Sequence, residues 1–253
     1  MNQNKVRDFF NNSNYLGNSS DRICIRAELV KDFLGPRRNV SILDIGCGDG
    51  SLSLPMLDHS NHLTLVDISK KMLDEVDGKI PEEFKDNVTL VNDSFDSIKD
   101  DDRYDIVICV GVVAHVPDVE RLWRKIGSVL SIGGLLIVET TPNPYPLGKL
   151  LKPYYFIRSF LIKDQPTYAK NRLKVPELQA RAKALGLRQR YHVRYSFPLP
   201  TMSHWPHSMK LRYTRFTLTN SIMSRLSTEH VFMFERVKSW SSLNSDQSVW
   251  SKK

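Results

Sequence analysis

The sequence predicts an α/β fold, a doubly wound and mostly parallel sheet, on three observations. Strand-length apolar runs alternate with helix-period segments along most of the 253 residues, the pattern of a parallel sheet covered on both faces. Residues 40–45 form a short apolar run rich in β-branched side chains, as a strand buried on both faces requires. That run feeds Gly46, Gly48 and Gly50 at alternate positions. A strand entering a glycine turn and then a helix is the nucleotide-cradling corner of such sheets.

The elements follow in order. Residues 1–20 are rich in Asn and Ser, with Tyr15-Leu16-Gly17 as their only apolar nucleus, and read as a flexible arm or lid. Ile23, Ala27, Val30 and Leu34 repeat at helical spacing over residues 21–34, with Ser20 or Asp21 as cap and Gly35-Pro36 as stop. After the first strand and glycine loop a helix is expected near Ser51, with Pro55 in its first turn or breaking it. Residues 62–67 form the second strand, and Ser69 can cap a helix ending before Pro81. Residues 88–92 and 104–110 read as the third and fourth strands, and Asp118 can cap a helix over residues 119–130. Gly133-Gly134 turns the chain into a fifth strand at residues 135–139. A helix over 176–185, a sixth strand over 187–196 and a last strand over 230–237 complete seven strands.

Which nucleotide the corner serves depends on spacing. The dinucleotide fingerprint Gly-x-Gly-x-x-Gly fits Gly46 and Gly48 but places its third glycine on Ser51, which disfavours NAD or FAD. The run Leu43-Asp44-Ile45-Gly46-Cys47-Gly48-Asp49-Gly50 instead resembles the first motif of the class I S-adenosylmethionine-dependent methyltransferases. The resemblance implies that this loop binds the amino-acid part of the cofactor. It also implies that Asp67, which closes the second strand about 20 residues on, holds the ribose, and that Asp93 after the third strand contacts adenine. A lone Asp at either position would read as a helix cap or turn residue; the order of three strand ends is what favours the cofactor. His115-Val116-Pro117-Asp118, Gly133-Gly134 and Thr141-Pro142-Asn143-Pro144 are similar to the branch that includes the ubiquinone-biosynthesis O-methyltransferases. The match covers residues 38–143. It implies a seven-stranded sheet whose last strand is antiparallel, S-adenosylmethionine as cofactor, and a binding set of Tyr15, Asp44, Gly46, Cys47, Gly48, Asp67, Ile68, Asp93, Ser94, Phe95 and Val110.

The methyltransferase domain is expected over residues 21–237, with insertions at 145–173 and 197–229 and a disordered tail at 238–253. Ligands of open parallel sheets bind beyond the carboxyl ends of the strands, which is where both insertions and the arm must lie. Charge sharpens this placement. Residues 1–143 hold 16 Lys+Arg and 23 Asp+Glu, whereas residues 144–253 hold 20 and 5, so a formal −7 is followed by +15. The basic half suits an anionic, lipidic or carrier-linked acceptor and a peripheral contact with an anionic membrane; the plain alternative is a solvated basic surface. Residues 145–163 mix aromatics with Lys and Arg, which fits a membrane, a packed lid or nucleic acid, and nucleic acid ranks last because no RNA-binding module is evident.

Three scattered cysteines, Cys24, Cys47 and Cys109, form neither a disulfide framework nor a metal spacing, and the polar start shows no signal peptide. A reducing, cytoplasmic setting is expected, peripheral to a membrane if the basic half docks there; no metal is predicted. The chemistry expected is methyl transfer to a small-molecule hydroxyl. The alternatives are N-methylation on the same fold and a scaffold that keeps the cofactor corner without turnover. Base candidates at the correct face are His115, His204 and His207. His115 reads equally as a packing residue of its turn, and His204 and His207 as surface loop residues. His59, His62, His192 and His230 look structural.

Overall fold

A computed structural model describes residues 3–12, 15–141, 170–197, 199, 202 and 205–237. Its seven strands are β1 (Ser41–Ile45), β2 (His62–Val66), β3 (Val88–Val91), β4 (Tyr104–Cys109), β5 (Leu130–Thr140), β6 (Leu187–Tyr195) and β7 (Glu229–Arg236). They form one sheet in the order β3-β2-β1-β4-β5-β7-β6. The first five run parallel; β7 is antiparallel to both β5 and β6. The expected doubly wound sheet with an antiparallel last strand is therefore present. The order reverses between β1 and β4, so the crevice outside their carboxyl ends is the binding position that the topology creates.

Helices cover both faces. On one lie α4 (Val119–Val129) and α5 (Val175–Ala184), which bury Leu122, Trp123, Ile126 and Leu178 against Val107, Leu136 and Phe232. On the other lie α2 (Tyr15–Leu34) and α3 (Lys70–Asp77), which bury Ile25, Leu29, Leu73 and Val76 against Ile42, Leu65 and Ile108. The caps read from sequence hold: the Ser69 side chain accepts from the Met72 N–H, and the Asp118 side chain from the Arg121 N–H.

Four expectations need correction. The segment read as a loose arm contains helix α1 (Gln3–Asn12), and α2 begins at Tyr15 rather than Asp21. Packing overrides the weak helix propensity of Asn and Ser: Val6 is buried, the Ser69 hydroxyl donates to Asn11 Oδ1 at 2.7 Å, and Ser20 Oγ lies 3.0 Å from His207 Nδ1. The expected Val30 and Leu34 are buried on the inward side of α2, but Ile25 and Leu29 join them there in place of Ile23, which lines the ligand crevice, and Ala27, which is half-buried. The helix expected near Ser51 is only a 3₁₀ turn at Leu54–Met56, because Pro55 cannot continue an α-helical ladder. Finally, β5 begins at Leu130 and passes through Gly133-Gly134. Tyr104 pairs with Leu130 and Ile106 with Leu135, so the two glycines sit in a wide bulge, Gly133 at φ +79°.

Residues 197–229 hold α6 (His207–Thr219) and α7 (Ser221–Leu226), with α6 packed along α2. The insertion over 145–173 lies outside the described residues except for its last four, and the tail over 238–253 lies outside them entirely.

Candidate functional site

β1 ends at Ile45 and the chain turns at Gly46, whose N–H donates to the Val66 carbonyl at 2.7 Å. Gly46 has φ +68°, and a Cβ there would stand 2.5 Å from Val112 Cγ2. Gly48 has φ +56° with nothing within 4 Å of its Cβ position. The two glycines have different tasks. The first lets the loop pass under the turn after β4, and the second leaves an open face for a ligand. Gly46→Ala should lower stability by about 2 kcal/mol through left-handed strain and the clash with Val112, read as a falling denaturant midpoint at constant m-value.

Asp67 fastens the loop. Its Oδ2 accepts from the Gly48 N–H at 3.0 Å and its Oδ1 from the Ser69 N–H at 2.8 Å. Burial raises its carboxyl above the usual range, and the backbone bonds from Ser69 and Gly48 oppose that rise. Lys79 closes the far side, donating to the Asp49 carbonyl at 2.9 Å and to its carboxylate at 2.7 Å. Asp44 lies beneath the loop, 2% exposed, and its Oδ2 has no hydrogen-bond partner among the described residues. Burial, and then the nearby Asp67 and Asp49 carboxylates, lift its pKa to about 7 against the lowering effect of the Ser53 side chain.

Above this floor opens a cavity of about 980 Å³ including its mouth, within the size range of small-molecule sites. The structure brings Gly46, Cys47, Gly48, Asp67, Ile68, Asp93, Ser94, Phe95, Val110 and His115 to its lining. Asp44 sits one layer below. Burial holds the Cys47 thiol far above its ordinary pKa, so it stays protonated. Gln3, Val6 and Phe10 of α1 complete the wall, and Phe10 meets the His115 ring edge-on at a centroid distance of 5.3 Å. The Tyr15 side chain and His204 lie outside the described residues. His207 does not line the cavity: it is exposed at the start of α6.

Beside the α1 residues, the sequence did not point to Arg26 as part of the lining. Arg26 of α2 is 8% exposed and faces the cavity. Its Nε donates to Glu139 Oε1 at 2.9 Å, its second guanidinium nitrogen lies 2.7 Å from Oε2, and the Tyr195 hydroxyl donates to the same Oε1 at 2.5 Å. A lone Arg within a helical repeat carries no signal by itself. The available hint was Glu139, a carboxylate closing an otherwise apolar buried strand.

His115 follows β4 and is held near pKa 3, by burial first and then by the positive charges of Lys170 and Arg26. Its imidazole is neutral at physiological pH. His192 and His230 form a separate pair, 3.0 Å apart and stacked near Phe232, and both are lowered by burial to about 4.

Residues 43–136 match the family described as a methyltransferase domain. The chain is 30% identical over 137 residues to a ubiquinone biosynthesis O-methyltransferase of Pelagibacter ubique, covering 52% of this chain and 54% of that protein. It is 32% identical over 100 residues to the Coxiella burnetii protein of the same name, covering 39% and 42%. The chain thus spans about half the length of the curated relatives it matches. Its fold is also that of a magnesium protoporphyrin IX methyltransferase from Synechocystis solved with bound SAH, with a TM-score of 0.60, 18% identity and coverage of 92% of this chain and 99% of that one. The glycine corner closed by Asp67, this strand order, and a family match running from β1 into β5 together mark residues 43–136 as a methyltransferase domain.

Proposed function

We propose that the chain transfers a methyl group from S-adenosylmethionine to a hydroxyl of a small-molecule acceptor. The observation that carries the reading is the clasp of Asp67 on the Gly48 N–H at the floor of the cavity. Four features fit that cofactor. The open Cβ position of Gly48 admits a ligand against bare backbone. The unpartnered Asp44 oxygen and the Asp67 and Asp49 carboxylates favour a cationic ligand. The Arg26 guanidinium suits a carboxylate, so one wall recognises each charge of an amino-acid group. Ile68, Phe95 and Val110 offer an apolar slot for a base.

When bound, the cofactor supplies an electrophilic methyl on a cationic sulfur. The residues then have mainly to align an oxygen with it, since orientation can contribute much of the rate. His115 is the base in this reading. Its neutral imidazole accepts the hydroxyl proton as the oxygen–carbon bond forms, and its low basicity places that transfer late, when the oxygen has become most acidic. The O-methyltransferase names of the partial relatives support oxygen as the acceptor atom.

The same reading takes the acceptor as anionic, lipidic or carrier-linked, and the protein as cytoplasmic with a peripheral contact at an anionic membrane. Its support is the +15 of residues 144–253 and the three free cysteines. No helix among the described residues is long and apolar enough to cross a membrane.

Asp67→Ala tests the cofactor assignment. Losing a charged acceptor for the ribose and the tether on Gly48 should weaken S-adenosylhomocysteine binding by about 10- to 100-fold in calorimetry, with circular dichroism unchanged. An unaltered affinity would sink the reading.

A further inference from the structure

We propose that the outer face of α6 and α7 is the surface by which the protein docks on an anionic lipid bilayer. The inference rests on the reading that the basic half meets an anionic surface, and it names the elements that do so.

The segment over residues 207–226 carries Lys210, Arg212, Arg215 and Arg225 and no Asp or Glu. Met209, Arg212 and Phe216 follow one another at helical spacing along α6, and all three are exposed, Met209 by 45% and Phe216 by 51%. The next helix repeats the arrangement: Ile222 is 69% exposed, Leu226 is 40% exposed, and exposed Arg225 lies between them. Four of the seven large exposed apolar side chains among the described residues fall in this segment. The inward side of α6 is already occupied, with Thr214 and Thr217 buried and Leu211 and Leu218 packed on the core. The outward apolar residues are therefore surplus to folding.

The chemistry selects the occupant. A second copy of the chain would bring Arg212 and Arg225 against their own equivalents, and among the described residues no carboxylate pairs with either. That repulsion disfavours self-association. Aliphatic Met209, Ile222 and Leu226 offer no platform for stacked bases, which disfavours a nucleic acid. Arginines interleaved with aliphatic chains and one aromatic match the boundary between anionic headgroups and acyl chains.

The placement also serves the site. α6 is tied to α2 by the Arg215–Glu28 ion pair and the Ser20–His207 contact, and α2 supplies Ile23 and Arg26 to the cavity wall. Docking through α6 and α7 thus seats the helix that walls the cavity next to the bilayer, where a lipophilic acceptor is dissolved.

The test is co-sedimentation of the full chain with vesicles of phosphatidylcholine alone or mixed with phosphatidylglycerol. Binding to the mixed vesicles, weakened by salt, is expected. Phe216→Ser with Ile222→Ser should cut partitioning at least about tenfold, and Arg212→Gln and Arg225→Gln about fivefold each. S-adenosylhomocysteine affinity, measured in parallel, should stay at the wild-type value in every variant and so report folding. Vesicle binding that all four substitutions leave intact would overturn the assignment of the face while leaving the membrane reading standing; no binding to the mixed vesicles would overturn both. A dimer in solution that dissolves with Phe216→Ser and Ile222→Ser would overturn the proposal in favour of a self-interface.

Discussion

Glu139→Ala should lower the stability of the chain by about 3–5 kcal/mol, because it leaves the Arg26 guanidinium buried without its main counter-charge. In a domain of this size that is a fall of roughly 6–20 °C in melting temperature. The pair is buried on both sides, with side-chain exposures of 9% and 2%, and it joins α2 to β5 across the carboxyl end of the sheet. Two neighbours set where in that range the result falls. The Tyr195 hydroxyl, which now donates to Glu139, would be left without that acceptor and adds to the loss. Glu229 works the other way. It is buried beside the pair, and burial and then the charge of Glu139 raise its carboxyl above the ordinary range. Removing Glu139 relieves that repulsion and offers Arg26 a second carboxylate. The lower end of the range is therefore expected.

The double variant Arg26→Met with Glu139→Leu separates structure from function. A buried pair replaced by apolar groups of similar volume is often neutral in stability, so this variant should melt closer to the wild type than Glu139→Ala, short of it by the partners that the Tyr195 hydroxyl loses, while binding S-adenosylhomocysteine poorly. A melting temperature for Glu139→Ala within about 2 °C of wild type would mean that water or Glu229 already compensates Arg26, and the account of the cluster would be wrong.

The parts of the fold legible in the sequence were those written in local patterns. Strand runs other than the fifth, the Ser69 and Asp118 caps and the glycine corner each depend on neighbours within a few residues, and each appears where the pattern placed it. α1 was illegible because its helical state depends on contacts across the chain, the Ser69–Asn11 hydrogen bond and the burial of Val6, which outweigh a weak local propensity. The bulge at Gly133 reads as a turn from sequence for a related reason: a glycine pair signals a break in pairing but does not say whether the strand continues on both sides of it.

The site divides along the same line. The loop, Asp67 and Asp93 follow strand ends in order and can be found by spacing. Arg26, Glu139 and Tyr195 come from positions up to 169 residues apart, and only the closed sheet brings them together. His207 failed in the opposite direction, because position at the correct face does not fix which way a side chain on α6 points.

Asp44 should give the protein a pH dependence that subtraction can isolate. Its carboxyl is raised from 3.8 to about 7 in the folded state, by burial first and then by Asp67 and Asp49. A raised carboxyl binds its proton more tightly when folded, so its contribution to stability is complete below pH 3.8 and is lost as pH rises toward 7. The gap of about three pH units corresponds to about 4 kcal/mol, with no solvent discount because the group is fully buried. Other groups titrate in the same window: the lowered His115, His192 and His230 make the opposite contribution, losing stability as pH falls. They are common to the wild type and to Asp44→Asn, so they cancel in the difference. Whatever offset the amide introduces, the variant should gain on the wild type by about 4 kcal/mol between pH 4 and pH 7 and run parallel to it above pH 7.5. The same proton links to the ligand. A cation in the cavity favours the ionised carboxylate, so S-adenosylmethionine binding near pH 7 should release about half a proton more from the wild type than from Asp44→Asn. Calorimetry in two buffers of different ionisation enthalpy reads that number directly. A stability difference that is flat from pH 4 to pH 8 would show that Asp44 is solvated or already paired, and with it would go the argument that an unsatisfied buried carboxylate prepares this site for a cation.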